Sequence, residues 1–281
     1  MHTNNPFSRS TLIWLLFAEM ASLVCVDLAI AQQPPPFGTI LYTFQGRADG
    51  AYPQGALISD TEGALYGTMS GGVFQLKPPA SGQTAWTETV LATIYSPQGS
   101  LVFDQRGSLY GVTGEGYGTI FQLSPPVNGQ PPWTPTMLWS FNGGVDGGNP
   151  QGSLVFDTWG ALYGVTSQGG VANAGTVFKL TPPTSDQTAW RKTVLWSFAG
   201  GEDGAVPQGG LIFDHRGALY GTTLQGGTLG LGTVYQLAPP EAGLMKWRKT
   251  VLHSFQGIPS GQLYGDGAYP YGGVHNGELH R

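Results

Sequence analysis

From residue 39 almost to the C-terminus, apolar and polar positions alternate in short runs, each bounded by Gly, Pro or Asp. Period-two alternation of this length marks half-buried β-strands rather than amphipathic helices. In the last full copy of the pattern, residues 211–214, 218–223, 233–237 and 247–255 read as strands a, b, c and d. The Asp-x-x-Gly between a and b suits a tight hairpin, because Asp accepts backbone N–H bonds at the first turn position and Gly tolerates positive φ. The whole pattern recurs in four units, 54–91, 98–138, 151–195 and 208–252. Each starts at a Pro-Gln-Gly (Pro53, Pro97, Pro150, Pro207) and closes on a leucine (Leu91, Leu138, Leu195, Leu252). Four short strands per repeat predict one four-stranded β-propeller blade. A β-solenoid is the alternative, with repeats that are usually shorter.

The ends of the chain bear on closure. Residues 39–44 match strand d yet precede the first a strand, and residues 271–280 read as a worn a–b hairpin. The expectation is therefore all-β: about five blades, four complete and an incomplete fifth (253–281) closed by the N-terminal strand. Antiparallel order places the d–a and b–c connections at one end of every blade, here the upper end, and the a–b and c–d connections at the lower end. The b–c loop is cut to Ser70-Gly71-Gly72 in the first unit, and the next d–a connection, Tyr95-Ser96-Pro97, lacks an Asp-Gly insertion present elsewhere. Both deletions fall on the upper end near blades one and two, which predicts a gap in the rim there, a natural place for a ligand.

Residues 1–31 read as a signal peptide: Arg9, an apolar stretch over 11–26, then Ala29-Ile30-Ala31 ahead of Gln32. A Pro-rich leader, 32–38, precedes the single repeat domain, 39–281. The expected location is secreted or extracytoplasmic, with no transmembrane segment in the mature chain. The only cysteine, Cys25, lies within the signal, so the mature chain has neither disulfide nor thiolate chemistry. With 45 Gly, 21 Pro, 10% charged residues and a net charge of −5, the chain lacks the basic surface that nucleic-acid binding needs.

The recurring runs Leu-x-x-Phe-x-Gly-Gly-x-Asp-Gly-x-x-Pro-Gln-Gly, Phe-Asp-x-x-Gly-x-Leu-Tyr-Gly-x-Thr and Gly-Thr-Val-Phe-x-Leu together resemble the Gloeo/Verruco tandem-repeat family of exported bacterial proteins. That resemblance implies a secreted or surface repeat protein with a propeller-like fold and no established activity.

Candidate chemistry is sparse. Asp60, Asp104, Asp157 and Asp214 sit where each hairpin needs an acceptor and are expected to form turns. Asp49, Asp146, Asp203 and Asp266 precede Gly in the upper loops and are candidate ligand-binding residues. They suit Asx turns or calcium, but the spacing has no Asp-x-Asp-x-Asp run, so no metal or cofactor is expected. Trp86, Trp133, Trp190 and Trp247 are expected to pack between blades, while Trp139 and Trp196 are further candidates for stacking on a ligand. No metalloprotease, P-loop or nucleophile-elbow motif occurs, and Gly114-Glu115-Gly116-Tyr117-Gly118 joins strands instead of opening a helix. Reactions on a pseudo-symmetric scaffold use residues that do not repeat, which leaves Glu115, Glu202 and Arg47 as the only catalytic candidates. The composition and loops point to a monomeric, non-enzymatic binding or structural module for a glycan or cell-surface partner. The alternative is a polysaccharide hydrolase or lyase acting through upper-end carboxylates.

Overall fold

The computed structural model describes residues 39–46, 49–126, 132–241, 245–258 and 266–270. The chain divides into two units, Met1–Thr43 and Phe44–Arg281. In the first, residues 39–43 carry no strand. The described residues of the second form four four-stranded antiparallel sheets, each a simple meander. Sheet 1 contains β1 (Ala51–Ser59), β2 (Leu65–Ser70), β3 (Gly72–Lys77) and β4 (Thr87–Thr93). Sheet 2 contains β5 (Pro97–Phe103), β6 (Leu109–Thr113), β7 (Thr119–Ser124) and β8 (Thr134–Ser140). Sheet 3 contains β9 (Gly148–Phe156), β10 (Leu162–Gln168), β11 (Thr176–Thr181) and β12 (Arg191–Ser197). Sheet 4 contains β13 (Ala205–Phe213), β14 (Leu219–Gln225), β15 (Thr233–Ala238) and β16 (Arg248–Ser254).

The first hairpin of each sheet is fixed by its aspartate. Asp60 Oδ1 accepts the N–H groups of Glu62 and Ala64, both at 2.9 Å, and Oδ2 accepts the Tyr66 hydroxyl at 2.9 Å. Asp104, Asp157 and Asp214 repeat the arrangement with Tyr110, Tyr163 and Tyr220. These four carboxylates are turn formers, as their spacing predicts. Burial and the adjoining Asp60 push the Tyr66 phenol up to about 12.

The Pro-Gln-Gly run lies inside the first strand instead of ahead of it, so β13 begins at Ala205 and not at 211. A register shift between Gln208 and Ile212 absorbs the extra length as a bulge, as it does between Gln98 and Val102. The glycine of the bulge is where neighbouring sheets meet. A Cβ on Gly55 would overlap the Gly99 carbonyl, one on Gly99 would overlap Gly152, and one on Gly152 would overlap Gly209. The motif is thus a close approach of successive inner strands that no side chain permits.

Three apolar cores fill the spaces between successive sheets. Their lower ends repeat one aromatic set: Tyr66 with Phe103, Tyr110 with Phe156 and Tyr163 with Phe213 meet edge-to-face at 5.0 Å. Trp133 and Trp190 lie 6.3 and 6.5 Å from Tyr66 and Tyr110, packed between sheets. At the upper end, Phe141 meets Phe178 at 5.4 Å and Phe198 meets Tyr235 at 5.2 Å, the residue after one outer strand against the third strand of the next sheet.

The described residues do not include a fifth sheet. Residues 39–44, expected as its outer strand, carry no strand assignment among the described residues. The expected hairpin over 271–280 lies outside the described residues. Two features continue the pattern at the ends. Phe44 meets Phe74 edge-to-face at 5.0 Å, the relation Phe141 has to Phe178. Tyr269 holds φ 52° ahead of Pro270 and donates its N–H to the Leu231 carbonyl at 2.8 Å, as Val206 (φ 55°) does to Ala174 ahead of Pro207.

Candidate functional site

One register position, a single pair in from the lower start of each outer strand, differs from sheet to sheet. Opposite Leu180 and Leu237 stand Lys192 and Lys249; opposite Leu76 and Leu123 stand Glu88 and Pro135. The four sheets therefore carry two cations, an anion and a proline at one structural place.

Lys192 reaches back to the loop that enters its sheet. Its Nζ lies 2.6 Å from Asp146 Oδ1, also donates to the Asp146 carbonyl, and sits 5.2 Å from the centre of the Phe141 ring. Lys249 does the same with Asp203, at 2.8 Å, and with Phe198, at 5.2 Å. Both lysine side chains are only 2% exposed, so each ion pair closes the upper end of the junction it spans. Burial draws the Lys192 ammonium below its ordinary value, and Asp146 opposes that shift. The loop aspartates also act as turn acceptors: Asp146 Oδ2 accepts the Asn142 N–H at 3.1 Å, and Asp203 Oδ2 accepts that of Ala199 at 2.7 Å.

At the entry to sheet 1 the cation is replaced. Glu88 Oε1 is buried without a hydrogen-bond partner among the described residues, and burial together with Asp49 pushes the Glu88 carboxyl above its ordinary value. Asp49 keeps its turn role, accepting the Gln45 N–H at 2.8 Å.

At the entry to sheet 2 every part of the lock is gone. Pro135 stands for the lysine, Ile94 for the phenylalanine and Ala92 for the tryptophan, and the loop shrinks to Tyr95-Ser96. What remains is a cleft of about 510 Å³ lined by Tyr95, Thr113, Glu115, Thr119, Phe121 and Met137, among others. This is where the two loop deletions predict a gap in the rim. Tyr95 and Met137 are well exposed at its edge.

The sequence candidates are dispersed over the upper end. Glu115 is exposed and lines the cleft, whereas Glu202 is exposed in the 3-10 turn Gly201–Asp203 and does not. Arg47 lies outside the described residues. Trp139 and Trp196 lie half-buried in the closed junctions, Trp139 with Lys192 5.9 Å above its ring, and Trp196 with its indole N–H directed at Asp203. Asp266 accepts the Gln256 N–H at 2.8 Å and lies 2.8 Å from His253 Nε2. Among the described residues, no group of three or more His, Cys, Asp or Glu is placed to hold a metal ion. Lys192 and Lys249 escape a motif search, but aligning positions 88, 135, 192 and 249 of the repeats exposes them.

Among solved structures, similarity extends to a Trichoderma reesei carbohydrate-active enzyme of family AA12 in its calcium form, at 12% identity and a TM-score of 0.44. The match covers 69% of this chain and 58% of that enzyme, so the chain spans under two thirds of its length. A putative oxidoreductase (glucose dehydrogenase) from Thermus thermophilus matches at 13% identity and a TM-score of 0.33, over 73% of this chain and 85% of that one. No curated protein matches. Residues 69–279 match the Gloeobacter/Verrucomicrobia repeat, and the chain is a member of that propeller-like tandem-repeat family.

Proposed function

We propose that this chain is an exported, non-enzymatic binding module that holds a neutral glycan in the upper cleft between sheets 1 and 2. The observation that carries the reading is the joint loss of lysine, aspartate and aromatic at that one junction. An ion pair cannot lose a single member cheaply inside a protein. Removing all parts together leaves an opening without a buried, orphaned charge, its one carboxylate, Glu115, being exposed to solvent. Its lining suits a polyol: the exposed Tyr95 offers a ring face, Thr119 and Thr136 offer hydroxyls, and no cation lines it. Glu115 is the one acid in that lining, whereas glycoside hydrolysis uses two carboxyl groups within about 5–9.5 Å.

The reading includes a fifth sheet shared by the two chain ends. Support comes from Phe44, which meets sheet 1 as Phe141 meets sheet 3, and from Tyr269-Pro270, which repeats the entry to β13. It also includes cleavage ahead of Gln32, supported by the residues preceding it.

Thermal melting of the chain from Gln32 onward, against neutral oligosaccharides, tests the binding claim. A ligand at 100 times its Kd stabilises the fold by about 2.7 kcal/mol. Tyr95→Ala and Met137→Arg should each abolish that rise while leaving the ligand-free melt in place. A rise that survives both substitutions, or no rise with any oligosaccharide, defeats the proposal.

A further inference from the structure

The lower end of the molecule holds a second cleft, between sheets 3 and 4, of about 590 Å³. Its wall is the recurrent aromatic set, here Tyr163, Phe213 and Trp247. Its rim is formed by two equivalent hairpin turns, Asp157-Thr158-Trp159-Gly160 and Asp214-His215-Arg216-Gly217. The third residue of this turn is Glu62 in sheet 1 and Arg106 in sheet 2. In sheet 3 it is an indole, 84% exposed.

An exposed tryptophan on a mobile loop would signify little. Trp159 is on a pinned turn: its N–H donates to Asp157 Oδ1 at 2.9 Å, and the Gly160 N–H donates to the Asp157 carbonyl at 3.2 Å. The ring is thus displayed on a rigid support, which lowers the entropy lost when a flat ligand covers it.

The charges of the cleft are unequal in what they offer. Asp157 is committed inward, to the Tyr163 hydroxyl at 3.1 Å and to Lys179 at 3.3 Å. Asp214 is committed likewise, accepting the Arg216 and Ala218 N–H groups at 2.8 and 2.9 Å and the Tyr220 hydroxyl at 3.1 Å. Arg216 forms no ion pair among the described residues and lines the same cleft as Trp159. Beside His215, a ligand meets the exposed indole face and one planar cation with two parallel donors, a geometry that matches a carboxylate.

We propose that this cleft is a second binding site, for a carboxylated sugar ring: the pyranose face lies on Trp159 and its carboxylate on Arg216. The site stands apart from the neutral cleft at the upper end and does not rest on it.

Tetragalacturonate and cellotetraose, titrated into the full chain, provide the test. Trp159 is far more exposed than the other described tryptophans, all half-buried, so acrylamide quenching of fluorescence reads its ring selectively. Tetragalacturonate should protect that ring and cellotetraose should not. By calorimetry, Arg216→Gln should weaken tetragalacturonate about tenfold, the loss of one charge-assisted contact. Trp159→Arg, which installs the residue of the neighbouring turns and keeps the fold, should weaken it about tenfold as well. Tyr95→Ala should leave it unchanged. Equal binding of cellotetraose, unaltered quenching with tetragalacturonate, undiminished affinity in either lower-cleft variant, or a loss in Tyr95→Ala would each overturn the assignment.

Discussion

Lys192 and Glu88 occupy the same register position on the outer strands of sheets 3 and 1, and each faces the aspartate of the loop that enters its sheet. One junction is closed by attraction and the other places two carboxyl groups in each other's field. The repeats are alike in backbone and differ most in how these junctions are closed.

The closed junction should resist removal of its anion more than removal of its cation. Asp146→Ala leaves the buried Lys192 ammonium unpaired and should cost about 3–5 kcal/mol. Lys192→Met keeps the stem over Phe141 and leaves a carboxylate that is 24% exposed and can regain water, so it should cost less. Chemical denaturation of the two variants compares them directly.

The anionic junction predicts a gain. Glu88→Lys recreates the pairing of sheets 3 and 4 and should raise the melting temperature by about 2–4 °C for each kcal/mol recovered. The wild-type chain should show a matching pH dependence. Glu88 holds its proton more tightly when folded than when unfolded, so its contribution is fully present below the ordinary carboxylate range. That contribution is lost as pH rises through its raised value. A melting profile against pH should lose this component in Glu88→Gln.

The inner glycines should be intolerant in proportion to what faces them. Gly99→Ala drives a Cβ into the Gly152 carbonyl at a residue with φ 63°, and should cost more than about 3 kcal/mol. Gly63→Ala meets open space at φ 82° and bears only left-handed strain, about 1–2 kcal/mol. Paired thermal melts separate the packing cost from the conformational one.

Glu115 should be dispensable. Glu115→Gln should leave both the melt and the binding of neutral oligosaccharides unchanged, because Tyr95 and the threonines carry the recognition. Loss of product formation in that variant, on any polysaccharide the wild-type chain degrades, would restore the hydrolase reading.

The four-strand order and the hairpin aspartates were legible in the sequence because they depend on short-range pattern and contact, such as Tyr66 to Asp60. The bulged Pro-Gln-Gly was legible as a motif but not as a strand, since its glycine answers to a carbonyl in the next repeat. Lys192 was illegible for the same reason: its partner lies 46 residues away, and only the stacking of sheets brings them together. Trp159 sits in a turn whose backbone role is common to all four repeats, so local chemistry accounts for Asp157 and says nothing about the ring two residues on. The gap near Tyr95 was visible because deletions alter length, which an alignment of repeats registers directly.

Each of the four described sheets is drawn from one contiguous stretch of chain, with every strand paired to its neighbour in sequence. Loop-closure entropy within a sheet is therefore small, and the long-range step is the docking of one finished sheet on the preceding one. Assembly can proceed from the N-terminal end as the polypeptide lengthens, each new sheet condensing on a template already in place. In a molecule without a cysteine beyond residue 25, the order of folding then rests on sheet-to-sheet docking and not on disulfide pairing.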